Sequence, residues 1–173
     1  MMKITAVGAV LAFLIVGPLI PPSYGAPQQD VDPPEGAQLV LGTTGKGVQI
    51  YACQQTNDGY RWKFLAPMAT LFDAAGQEIG SHFAGPAWAA HDGSTIVGAV
   101  LAQATSPDPH SIAWLLLKVT SQHGSGVLSN VAFVRRIETE GGVAPTQGCD
   151  AAHALQQEKV PYTARYLFYS LSR

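Results

Sequence analysis

From residue 36 onward, apolar and polar positions alternate mostly with a period of two, and the alternation is broken by Gly, Asp and Pro. The stretch "AQLVLG" begins the pattern, and "GKGVQIYAC" sets Val48, Ile50 and Ala52 on one face. In "TNDGYRWKFLAP", Asp58-Gly59 is a hairpin signal because Gly tolerates positive φ. The strand after it puts Tyr60, Trp62 and Phe64 on one face, expected to be core, and Arg61 and Lys63 on the other. "ATLFDAAGQEIGSHF" predicts a second hairpin turning over residues 73–76. "STIVGAVLAQAT" is apolar on both faces, and "SIAWLLLKVT" is continuous enough to predict a central strand with Trp114 in the core. "NVAFVRRIETE" alternates again, which sends the neighbours Arg135 and Arg136 to opposite faces. "CDAAHALQQEK" is the one segment predicted to be helical, with Asp150 as its N-cap. "YTARYLFYSL" closes the chain as an aromatic-rich strand.

Eight or nine short strands with at most one or two short helices predict an all-β, single-domain antiparallel β-sandwich or barrel over residues 36–173. The pattern does not choose between sandwich and barrel. Residues 26–35, "APQQDVDPPE", are polar and Pro-rich and predict a flexible lead-in. Residues 1–25 break the pattern altogether. Lys3 precedes the apolar run "AVGAVLAFLIVG", which is shorter than the roughly 20 residues a spanning helix needs. Pro18, Pro21 and Pro22 end the run. This predicts a signal peptide cut between Gly25 and Ala26, no transmembrane segment afterwards, and a periplasmic or extracellular location.

Charge removes one class of partner. Cleavage after Gly25 leaves 148 residues carrying nine Lys and Arg against twelve Asp and Glu, a formal charge of −3. A nucleic-acid binder would show a basic patch or stripe, so none is expected as a partner. Only 13% of the chain is charged, against about 25% in typical soluble domains, and Gly is abundant, as suits an extracellular β-domain with many turns. An exported chain with two cysteines, Cys53 and Cys149, predicts one disulfide. Metal ligation by these cysteines lacks CxxC or HxxxH spacing.

The densest chemistry lies in residues 81–94, "SHFAGPAWAAHDGS". A hydrolytic Ser-His pair is disfavoured, because Ser81 and His82 point to opposite faces of a strand and the chain has no G-x-S-x-G elbow. His82, His91 and Asp92 are weak metal-ligand candidates that could converge if the segment doubles back. No cofactor is expected: "TEGGVAPTQGCD" is Gly-rich but lacks the lysine of a phosphate loop. Trp88 sits in a Gly/Pro segment and is, of the three Trp, the one expected to be partly exposed or, more often for such a loop, to plug the end of a sandwich. His82, Trp88, His91 and Asp92 therefore form the candidate binding loop. The favoured function is non-catalytic binding of a small molecule, glycan or envelope partner. The alternatives are a metal-assisted hydrolase using His82, His91 and Asp92, and a purely structural domain.

Taken in order, "PEGAQLV", "GVQIYAC", "GSHF-x-GP-x-W" with "DGS", "WLLL", "R-x-x-T-x-GG-x-x-P" and "VPYTARYLFY" resemble the exported bacterial and fungal proteins of domain-of-unknown-function family 3455. The resemblance runs from about Pro34 to Tyr169. It implies an exported single domain and agrees with pairing of Cys53 and Cys149. It implies no catalytic role for any residue. In such proteins the residue after the Trp is often acidic, whereas here it is Ala89. Some fungal members carry dehydrogenase names, but this chain has no G-x-G-x-x-G fingerprint.

Overall fold

The computed structural model describes residues 30–171. The predicted signal peptide and residues 26–29 of the lead-in lie outside the described residues.

Among the described residues eight antiparallel strands follow one another around a closed barrel. They are β1 (Ala37–Thr56), β2 (Gly59–Phe72), β3 (Glu78–Phe83), β4 (Ala87–Ala90), β5 (Thr95–Ala104), β6 (Trp114–His123), β7 (Phe133–Gly141) and β8 (Gln157–Leu171). Each strand pairs with its sequence neighbour, and β8 returns to pair with β1 from Ala37↔Leu171 to Ala52↔Gln157. The open alternative, a sandwich, is thereby resolved to a barrel. Closure satisfies both edges of the sheet, which would otherwise present unpaired backbone groups. The turns fall where the sequence predicted them, at Asp58-Gly59 and over 73–76, and a further turn lies at Asp92-Gly93.

Alternation sends one set of side chains inward. Ala69, Leu71, Trp88, Ile96, Leu117, Val134, Tyr166 and Phe168 make the buried interior. Gly45 on β1 faces Tyr166, and a Cβ there would lie 2.6 Å from the ring's Cε2 atom, so the missing side chain makes room for the ring. One end of the barrel is plugged. The segment between β6 and β7, residues 124–132, buries Leu128 and Val131 in the interior cluster. The turns between β1 and β2 and between β3 and β4, together with the segments 105–113 and 142–156, surround the other end.

Several sequence expectations need correction. Residues 150–156 do not form an α-helix. They contain a single 3-10 turn, Ala151–His153, whose N–H groups at Ala152 and His153 do bond the Asp150 carboxylate as predicted for a cap. Helix formation stops there because β8 begins at Gln157 and pairs with β1. Tyr60, Trp62 and Phe64 do share a face, but that face is not core. They lie toward the tip of the β1–β2 hairpin, beyond the closed part of the barrel, and Phe64 is 54% exposed. There the Trp62 indole N–H donates to the Gln147 carbonyl at 2.8 Å. Trp114 packs only partly buried in a second cluster outside the barrel wall, with Val31, Ala104, Leu116 and Phe133. Val31 belongs to the predicted lead-in, and its neighbour Asp32 pairs with Arg135 at 2.5 Å.

Cys53 and Cys149 form a disulfide. It fastens the 142–156 segment to β1 beside two backbone hydrogen bonds, Cys53 N–H to Gln156 O and Leu155 N–H to Cys53 O.

Candidate functional site

Trp88 is neither partly exposed in a loop nor a plug at one end, the two readings its Gly/Pro setting offers; it is 1% exposed and lies inside the barrel on a strand. The Gly85-Pro86 turn is tight enough that β4 starts at Ala87, and Trp88 pairs directly with His82 of β3. Both side chains point inward. Their rings stack at 4.6 Å with planes 11° apart. Tyr166 of β8 reaches them across the interior, 5.0 Å from His82 and 6.0 Å from Trp88. Phe168 meets the Trp88 ring edge-on at 6.2 Å.

The His82 Nδ1 lies 2.8 Å from the Ala87 carbonyl oxygen. A carbonyl only accepts, so Nδ1 carries the proton and the neutral ring leaves Nε2 as an acceptor. Burial lowers the His82 pKa to about 4; the bond to Ala87 opposes this and the positive charge of Arg136 adds to it. His82 is therefore neutral at physiological pH and a weak base, well below the range that suits general-base work near pH 7.

Arg136 is the charged residue in this region, and strand alternation predicts only that it and Arg135 diverge. They do: Arg135 faces outward to Asp32, and Arg136 faces the cavity. Its Nε and Nη2 groups both donate to the Ala113 carbonyl, at 3.1 and 2.8 Å. Burial raises the hydroxyl pKa of Tyr51, Tyr162 and Tyr166, and the Arg136 charge opposes the rise in each. Tyr162 and Tyr166 share a hydroxyl hydrogen bond of 3.0 Å, and the Tyr51 hydroxyl donates to the Gly142 carbonyl at 2.6 Å.

These residues line two adjoining chambers at the unplugged end. The inner one, about 330 Å³, has His82, Trp88, Tyr166, Pro67 and Leu117 in its walls. The outer one, about 600 Å³, reaches Gln49, Tyr51, Ile112 and Val143. Phe64, Val100, Leu115 and Arg136 border both. A larger depression of about 910 Å³ lies elsewhere, beside Thr120, Ser129 and Ser170, and has none of the stacked rings.

The other two members of the candidate loop lie at the plugged end. His91 sits in the turn between β4 and β5, exposed, with Nε2 3.6 Å from Glu78. The Asp92 carboxylate accepts from the Ser94 hydroxyl at 2.6 Å, the Ser94 N–H at 2.9 Å and the Val127 N–H at 2.7 Å. The Ser94 hydroxyl, then the Val127 N–H, lowers its pKa. The turn thus ties itself to the 124–132 plug. The structure brings His82 and Trp88 together and separates both from His91 and Asp92, because alternate turns of an antiparallel barrel lie at opposite ends. Among the described residues no three His, Cys, Asp or Glu side chains gather in a way that could hold a metal ion.

Fold and cavity together define an up-and-down eight-stranded barrel with an aromatic-walled interior open at one end. The chain belongs to the family described as "Protein of unknown function (DUF3455)", which matches residues 33–170 and so takes in nearly the whole barrel. No curated protein and no solved structure matches the chain.

Proposed function

We propose that the protein is exported and binds a small, largely apolar molecule in the open end of its barrel without transforming it. The observation that carries this is the inner chamber floored by the stacked His82–Trp88 pair and Tyr166. Eight strands enclose an interior large enough to hold one small ligand. Chambers of about 330 and 600 Å³ fall in the size range of small-molecule sites, which are mostly apolar with a few polar groups. Burial of Trp88 favours a guest that enters the barrel over a glycan stacked on its surface. His82 and Trp88 carry this reading, while Asp92 supports the plug and His91 stays outside. Export is supported by the disulfide, which persists in oxidising compartments, and by the signal-like first 25 residues. No helix among the described residues is long and apolar enough to cross a membrane.

The test is fluorescence titration with N-phenyl-1-naphthylamine, a neutral apolar probe. One-to-one binding with a change in Trp emission is expected. Val100 borders both chambers and is 55% exposed, so Val100→Trp should block entry without disturbing the core. No binding, or binding unaffected by Val100→Trp, would count against the site.

A further inference from the structure

The chambers contain a positive charge that no carboxylate among the described residues neutralises. Four arginines lie among the described residues. Arg61 pairs with Asp58, Arg135 with Asp32 and Arg165 with Glu138. Arg136, the one turned into the barrel, has the Ala113 carbonyl and the Tyr166 hydroxyl as partners and, among the described residues, no carboxylate. Among the described residues no Asp, Glu, Lys or second Arg lines either chamber. A cation facing apolar walls without a counter-ion is costly, and the cost falls when an anion arrives. Two further donors on residues lining the chambers have no hydrogen-bond partner among the described residues, Gln49 Nε2 in the outer and Trp88 Nε1 in the inner, both on residues at most 2% exposed. The site is rich in donors and carries a single positive charge.

Resting on the binding role proposed above, we infer that the natural guest is an organic monocarboxylate. Its flat apolar body fills the inner chamber against Trp88, Tyr166 and Leu117, and its carboxylate meets the Arg136 guanidinium where the two chambers join. One cation matches one negative charge; a phosphomonoester dianion would bring an excess charge into a site with no second cation. The planar guanidinium fork fits a carboxylate with two parallel hydrogen bonds, a geometry that ammonium does not offer. The Trp88 and Tyr166 rings and Leu117 supply apolar surface for the body.

The experiment is calorimetric titration of the disulfide-bonded protein with a matched pair, naphthalene-1-acetate and naphthalene-1-acetamide, which differ in charge and hardly in shape. The acid should bind at least about tenfold more tightly, as charge-assisted bonds outweigh neutral ones. Arg136→Gln should bring the acid down to the level of the amide and leave the amide within about threefold, and Arg136→Lys should fall between, keeping charge without the fork. Equal binding of acid and amide, or an acid preference that survives Arg136→Gln, overturns the carboxylate assignment. If N-phenyl-1-naphthylamine still binds in that case, the binding role stands alone; if none of the three binds, both readings fall. Should Arg136→Gln not fold, the preference of the unaltered protein and its reduction in Arg136→Lys decide the matter.

Discussion

A proton added to His82 would be sealed between Trp88 and Tyr166, and the folded protein resists it. The unfolded chain takes up that proton near pH 6.5 and the folded chain only near 4. The unfolded state therefore binds more protons between those values. His82 contributes its full stabilisation above about pH 6.5, and this is lost as the pH falls toward 4. The shift corresponds to about 3 kcal/mol across the window. Asp92, Asp108 and Asp150 are also lowered, each first by a side-chain hydrogen bond. They favour the fold above their unfolded pKa of 3.8, and that help fades only below it. Denaturant midpoints at pH 7 and 4.5 should show a marked drop, and His82→Phe should flatten it; an equal drop in the variant would dismiss His82 as the source. At this scale the sequence told faces but not surroundings. Alternation separated Arg135 from Arg136 correctly, yet nothing in "VRR" says which side is the interior. Trp88 was misjudged because Gly and Pro beside it suggested a loop, whereas the turn ends in time for Trp88 to enter a four-residue strand.

Between elements, the bond set around Asp92 joins the β4–β5 turn to the 124–132 plug, and the Ser94 hydroxyl also accepts from the Leu128 N–H at 3.2 Å. Asp92→Ala would orphan the Ser94 and Val127 N–H groups and should cost about 1–3 kcal/mol in urea denaturation. Amide exchange should quicken across 124–132 and leave β7 and β8 unchanged. Leu128→Ala removes the plug's own side chain and should cost about 2–4 kcal/mol, as in other large-to-small core changes. If both substitutions left stability and exchange unaltered, the plug would not be part of the cooperative fold. The turns were legible because Asp-Gly pairs demand particular backbone angles. The plug was not, since "SGVLSNVAF" has no period and its two buried residues look like any loop apolars. The predicted helix failed for the converse reason: the cap at Asp150 was real, but pairing of Gln157 with Ala52 claims the chain before a second turn can form.

For the molecule as a whole, period-two segments announced an all-β domain but held no information on which edges meet, so closure of β8 on β1 was not legible. The disulfide was, because two cysteines in a chain expected to be exported leave one pairing. It closes a loop with a sequence separation of 96 and should contribute up to about 4–5 kcal/mol by restricting the unfolded chain. Replacing Cys53 and Cys149 together by Ser should lower the thermal midpoint with the barrel's circular dichroism preserved at low temperature. An unchanged midpoint would mean that the 142–156 segment is held by its backbone bonds alone. The plug has a further consequence, which belongs to time rather than to energy. A barrel stopped at one end has a single doorway, so a guest must leave by the path it took in. Reversibility then requires that any change to the 105–113 segment that narrows the doorway without touching the seated guest slow arrival and departure by the same factor. Residence time would lengthen while the dissociation constant stayed where it was.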